Sequence, residues 1–224
     1  MIPLKDDQPR YSPPFINWFL IALNILVFLF EGTLTKQELT QFALVPARLW
    51  APHATPLGAI VPFFTAMFLH AGWAHVLGNM LFLYIFGDNI EDYLGHFKYL
   101  IFYLLSGLFA DAAQIAINPH SRLPMVGASG AIAGVLGAYF VLYPKARVLT
   151  WFPPIFFFYL PAWVSLGYWF VLQFLYGAES LSMVRSTREM GGVAFWAHIG
   201  GFASGVLMIK VFPERRRRYP YAYR

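Results

Sequence analysis

The chain has 224 residues, 58% of them hydrophobic and 12% charged, with 23 Phe, 13 Tyr, 7 Trp and a formal net charge of +5. A soluble domain carries about 25% charged residues, so this composition excludes an ordinary water-facing globule and fits a chain solvated by lipid. The absence of cysteine excludes disulfides, a thiol nucleophile and a Cys-based zinc site.

A membrane span needs about 20 mainly apolar residues, and on that measure the sequence predicts six. Residues 1–13 carry mixed charges and read as a cytoplasmic N-terminal segment rather than a cleaved signal. "PFINWFLIALNILVFLF" (14–30) is the first span, closed by Glu31. Residues 31–56 are polar and contain Pro46, Pro52 and Pro56, as an extramembrane loop would. The stretch 57–93 is apolar but too long for one span, and "HAGWAHVLGN" (70–79) interrupts it. The expectation is a partly embedded loop over 57–74 and a second helix over 75–93. Further spans are predicted at 98–118, 129–143, 151–176 and 194–212. The basic tail, 213–224, contains "RRRR" at 215–218. It reads as an anchor at anionic headgroups, not as a nucleic-acid site. The fold class expected is thus an all-α integral membrane bundle of six helices over 14–212.

Lys and Arg set the orientation. Eleven of the 16 fall on the side that holds both termini and five on the other, so both termini are expected in the cytoplasm. Helices two, four and six then all run inward, and each carries polar residues near its outer start. These are His75 and Asn79, Ser129, and His198. His75 and Asn79 are four apart and share a helix face. From Ser129 to Tyr143 is about 22 Å of helix at 1.5 Å per residue, less than the roughly 30 Å hydrocarbon core. Ser129 is therefore expected below the outer surface, preceded by non-helical "PMVGA" that must line protein or a wet cavity. A helix start at depth also offers free N–H groups to a developing oxyanion.

The chemistry follows from residue types. An adjacent imidazole turns Ser129 into a nucleophile, and His198 is the better candidate base; Asn79 and His75 can serve an oxyanion. Each residue also has a plainer reading. Ser129 would suit small-residue packing, and His198 and Asn79 would suit interhelical hydrogen bonding. Gly130, Gly134, Gly137, Gly201 and Gly205 read as packing surface, Glu91 as structural, and His53, His96 and His120 as loop or interface residues. His70 either lines the cavity or supports the loop. A zinc site of His70, His75 and His198 lacks the H-E-x2-H pattern and a carboxylate. Asp111 on helix three is a functional candidate by default; a Ser–His–Asp triad is imaginable, but a simply hydrogen-bonded or wet carboxyl is an equal reading and Asp111 is not counted among the catalytic residues.

Three motifs now stand in order on helices two, four and six: "HAGWAHVLGN", "GASG" (127–130) and "AHIGGFASG" (197–205). In these the sequence resembles the rhomboid intramembrane serine proteases, with their H-x4-H-x3-N, G-x-S-G and A-H-x2-G-x3-G patterns. "GDNIEDYLG" (87–95) is similar to the family's G-x3-E-x3-G turn. The resemblance covers about residues 14–212. It implies a catalytic dyad of Ser129 and His198 and an oxyanion hole from the Ser129 N–H, His75 and Asn79. It also implies hydrolysis of peptide bonds in or near transmembrane segments of protein substrates, through an acyl-enzyme. It implies no metal or cofactor, and it leaves the oligomeric state open; a bacterial plasma membrane is the expected location. Two departures stand out. Val61-Pro62 occupies the place of the Trp-Arg found in the first loop of many bacterial members. Ala133 stands where some members stack an aromatic ring on the catalytic histidine, which leaves His198 less restrained. Two rivals of other classes are a catalytically idle rhomboid-like escort, which has no need of Ser129 and His198, and a small transporter, for which no two-fold pattern of broken helices is evident.

Overall fold

The computed structural model describes residues 1–51, 55–184 and 194–215. His53, Pro52, Arg185, Arg188 and the tail arginines Arg216, Arg217 and Arg218 lie outside the described residues. In chain order the elements are β1 (Ile2–Lys5), α1 (Phe15–Glu31), α2 (Lys36–Phe42) and α3 (Pro56–Thr65), then α4 (Trp73–Leu94), α5 (His96–Ile117) and α6 (Ser129–Leu142). There follow β2 (Arg147–Phe152), β3 (Phe156–Pro161), α7 (Ala162–Val184) and α8 (Phe195–Met208), with short 3-10 turns at Pro46–Trp50 and Ala66–Phe68. The fold is mostly helical. Helices α1, α4, α5, α6 and α8 lie over the first, second, third, fourth and sixth apolar segments, and α7 overlaps the fifth in part.

Lipid-type composition makes α6 the centre. Residues 131–139 are all buried, nine in succession, and a helix that is apolar all round belongs inside a bundle. It packs between α5 and α8 through small residues. A Cβ on Gly134 would collide with Ser106 of α5, and one on Gly205 of α8 would collide with the Gly134 carbonyl. Around this contact lie Phe86, Tyr99, Phe102, Tyr139 and Phe202.

The turn between α4 and α5 shows what the acidic motif does. Gly95 adopts φ +79°, which glycine reaches without a Cβ penalty, and so ends one helix and starts the next. The buried Glu91 carboxylate accepts the N–H groups of Ile16 (3.0 Å) and Asn17 (2.7 Å) at the start of α1, and pairs with His96 Nδ1 at 2.5 Å. Asp92 accepts from Ser12 Oγ at 2.6 Å. Glu91 thus satisfies two free N-terminal donors of α1, and Asp92 holds the segment leading into it, so that both carboxylates fix this end of the chain against α4.

The fifth segment differs from expectation. Residues 147–161 form an antiparallel hairpin, not the first turns of a helix over 151–176, and β1 pairs with β2 to complete a three-stranded sheet. The all-α assignment is corrected to that extent. Pro153 and Pro154 sit at the turn, where each removes a backbone donor and blocks helix propagation. The flanking Val, Thr and aromatic residues favour a pleated surface. Val148 and Thr150 alternate inward at full burial. Residues 1–13 are correspondingly packed: the Tyr139 hydroxyl donates to Asp6, and Asp7 accepts the Arg147 N–H at 2.8 Å.

Among the described residues, α5 alone is both long and apolar enough to cross a bilayer by itself. Residues Pro56–Phe68 and Trp73–Leu94 qualify as a pair bent by 78°, the shape of a broken span or a re-entrant loop. The apolar helices α1, α6 and α8 have 17, 14 and 14 residues.

Candidate active site

Gly127 precedes α6 with φ +122°, a conformation open to glycine, and its N–H donates to the Ala66 carbonyl at 2.8 Å. This turn delivers Ser129 to the first position of α6, where helix N–H groups have no intrahelical acceptor. A Cβ at Gly127 would press on the His75 ring, 2.7 Å from Nε2, and lie 3.6 Å from Asn79 Nδ2. So the two polar residues of α4 converge on the backbone that leads into Ser129.

From α8, His198 Nε2 reaches Ser129 Oγ at 2.8 Å. The small surfaces of α6 and α8 make this approach possible. A Cβ on Gly201 would fall inside the Gly130 carbonyl oxygen, so the helices already meet backbone to backbone one turn below the pair. Ser129, His198, His75 and Asn79 all line one cleft of about 470 Å³, with Trp169, Phe82 and Ile132. The structure brings the four predicted site residues together.

The supporting residues are equally definite. Phe68 O lies 3.1 Å from His70 Nδ1, so that nitrogen carries the hydrogen and Nε2 accepts from Asn79 Nδ2 at 3.0 Å. The Glu31 carboxylate accepts the His70 N–H at 3.0 and 3.2 Å. His70 therefore supports the loop and orients Asn79. The first loop, lacking Trp-Arg at Val61-Pro62, is tied down by that Glu31 contact. Thr65 Oγ1 adds a bond to Phe42 O at 2.6 Å, and Leu44 bridges Met125.

Two residues of α7 had no place in the sequence reading. Gln173 Oε1 lies 2.7 Å from His198 Nδ1. The Trp169 ring lies 5.7 Å from the His198 ring, tilted by 40°. Ala133 leaves the α6 side of the imidazole bare, but α7 restrains it instead. The only sequence signal was their spacing of four, which puts both on one face of α7. Asp111 is not a third member of the pair. It is buried, its Oδ2 has no hydrogen-bond partner, and it lines a small cavity of about 30 Å³ together with Ser129 and Gly130 but not His198.

A family profile described as Rhomboid domain matches residues 57–215. The chain belongs to the rhomboid family. It is 41% identical over 132 residues to "Rhomboid-like protein 11, chloroplastic" of Arabidopsis thaliana, covering 58% of this chain and 43% of that one. It is 31% identical over 219 residues to "Rhomboid protein 1, mitochondrial" of Saccharomyces cerevisiae, covering 93% and 58%. To "Rhomboid protease GluP" of Bacillus subtilis it is 34% identical over 147 residues, covering 60% and 27%. The chain thus spans from about a quarter to somewhat over half the length of these relatives. As a rhomboid it is a membrane-embedded protein. Relatives named chloroplastic and mitochondrial stand beside a bacterial one, so they lend the bacterial plasma membrane no support over other bilayers.

Proposed function

We propose that this rhomboid is an intramembrane serine endopeptidase, cleaving peptide bonds in or near transmembrane segments of membrane proteins. The observation that carries the reading is the 2.8 Å pair of Ser129 Oγ and His198 Nε2 on the wall of the cleft that His75 and Asn79 also line. His198 Nε2 takes the hydroxyl proton as Oγ attacks the scissile carbonyl carbon. The carbonyl oxygen becomes an oxyanion facing the Ser129 N–H, His75 and Asn79. Ala71 N–H approaches His75 Nδ1 at 3.4 Å, which favours the hydrogen on Nε2, the nitrogen facing Gly127. Collapse breaks the C–N bond, and the imidazolium gives its proton to the leaving amine. Water, deprotonated by His198, then releases the second product from the acyl-enzyme and returns Ser129 to its hydroxyl form.

This reading places six crossings over α1, α4, α5, α6, α7 and α8, with both termini cytoplasmic. Helix α6, at 14 residues, covers about 21 Å, so Ser129 lies below the outer surface and meets water through the cleft. A reporter fused after Arg224 should be active in the cytoplasm only; activity on the far side would reverse the helices.

Purified protein in proteoliposomes, given a substrate with one transmembrane segment, tests the chemistry. Ser129→Ala and His198→Ala should each abolish cleavage and labelling by a fluorophosphonate probe, while the chain still inserts. Wild-type turnover by either variant would overturn the mechanism.

A further inference from the structure

The imidazole of His198 has a partner on each nitrogen. Nε2 meets Ser129 Oγ at 2.8 Å and Nδ1 meets Gln173 Oε1 at 2.7 Å. A carboxamide oxygen can only accept, so the nitrogen facing it must carry the hydrogen. A neutral imidazole has one such hydrogen. With it on Nδ1, Nε2 presents its lone pair to the serine hydroxyl, which is the state a general base needs.

No other described group competes for that role. Asp111 lines a small cavity that His198 does not line, and Trp169 packs against the ring without offering it an acceptor. A neutral acceptor also suits the place. A carboxylate at membrane depth would have to be desolvated before it could assist. An amide oxygen stabilises the transient imidazolium while adding no second buried ion.

We propose that Gln173 is a positioning residue for the dyad: it holds His198 in the Nδ1–H tautomer and in the orientation that faces Ser129. This rests on reading Ser129 and His198 as nucleophile and base. A polar chain then runs across three helices, from Ser129 on α6 through His198 on α8 to Gln173 on α7. The α7 helix thereby takes part in the chemistry without touching the substrate's reacting atoms.

The test uses the full chain in proteoliposomes with a transmembrane substrate. Gln173→Leu keeps the bulk and removes the acceptor. Its kcat should fall roughly 10- to 150-fold, the range for losing a hydrogen bond to a charged group. KM should stay within about twofold, because a group that acts on the transition state alone leaves ground-state binding untouched. Fluorophosphonate labelling should slow by a similar factor. In wild-type protein labelled with 15N-histidine, NMR should find the His198 hydrogen on Nδ1. Wild-type kcat in Gln173→Leu, or the hydrogen on Nε2, would overturn the proposal. If Gln173→Leu also loses thermal stability, the wild-type tautomer decides: the His198 hydrogen on Nε2 overturns it. Turnover by Ser129→Ala would instead overturn the dyad reading itself. An inactive Ser129→Ala beside an unimpaired Gln173→Leu would remove only the role of Gln173.

Discussion

Gly201→Val tests the contact on which the site's geometry depends. A Cβ at Gly201 meets the Gly130 carbonyl group, 3.1 Å from its carbon, and Ala133 Cβ at 3.2 Å. Two of the obstacles are backbone of a buried central helix, so no rotamer change relieves the clash. To restore contact at 3.5 Å or more from the carbonyl oxygen as well, α8 must withdraw by more than about 1 Å. His198 sits one turn away on the same helix and moves with it. The Ser129–His198 distance of 2.8 Å then passes out of the 2.6–3.2 Å range for direct proton transfer. A displacement of that size costs about 100-fold in rate, and overpacking costs about 1–3 kcal/mol of stability. Activity on a transmembrane substrate and the apparent thermal midpoint of purified protein measure both. Ala203→Val, on the exposed side of α8, is the control and should leave both unchanged. A Gly201→Val enzyme with wild-type turnover and midpoint would refute the backbone contact of α6 with α8.

Two further outcomes are expected. Asn79→Ala should lower kcat by about 10²–10³-fold, the usual effect of removing one oxyanion donor; loss as complete as in Ser129→Ala would mean that the Asn79–His70 pair also holds the site together. At the sheet, burial raises the Asp6 carboxyl from 3.8 to about 6, opposed by the Tyr139 hydrogen bond and reinforced by the charges of Asp88 and Asp7. The folded state therefore binds this proton more tightly than the unfolded state. Its contribution to stability is fully present below about pH 4 and is lost as pH rises through about 6. Asp6→Asn should then be more stable than wild type at pH 7.5 by about 1–3 kcal/mol, after discounting for partial exposure. The difference should vanish near pH 4, as followed by thermal midpoints; a pH-independent difference would remove Asp6 as its source.

Much of the molecule was determined by the sequence alone. Lipid offers the backbone no hydrogen-bond partners, so apolar segments within it are driven to become helices, and α1, α4, α5, α6 and α8 lie on the apolar segments read from the sequence. The order of Ser129, His198, His75 and Asn79 was legible because each sits in a short motif whose spacing fixes a helix face. The glycines that bring α6 and α8 together were legible for the same reason. What needed tertiary structure lies between elements. Residues 151–161 read as the start of a helix because apolarity is shared by buried strands and helices alike. The pairing of β1 with a hairpin some 145 residues away, which no local pattern encodes, makes them a sheet. Gln173 and Trp169 occupy a helix whose rotation about its own axis is set by packing against α8, so nothing in their spacing said that they face His198. The same holds for Asp111: a buried carboxyl was visible in the sequence, but only the placement of α5 directs it to a small cavity that His198 does not line and leaves the second nitrogen of His198 to an amide.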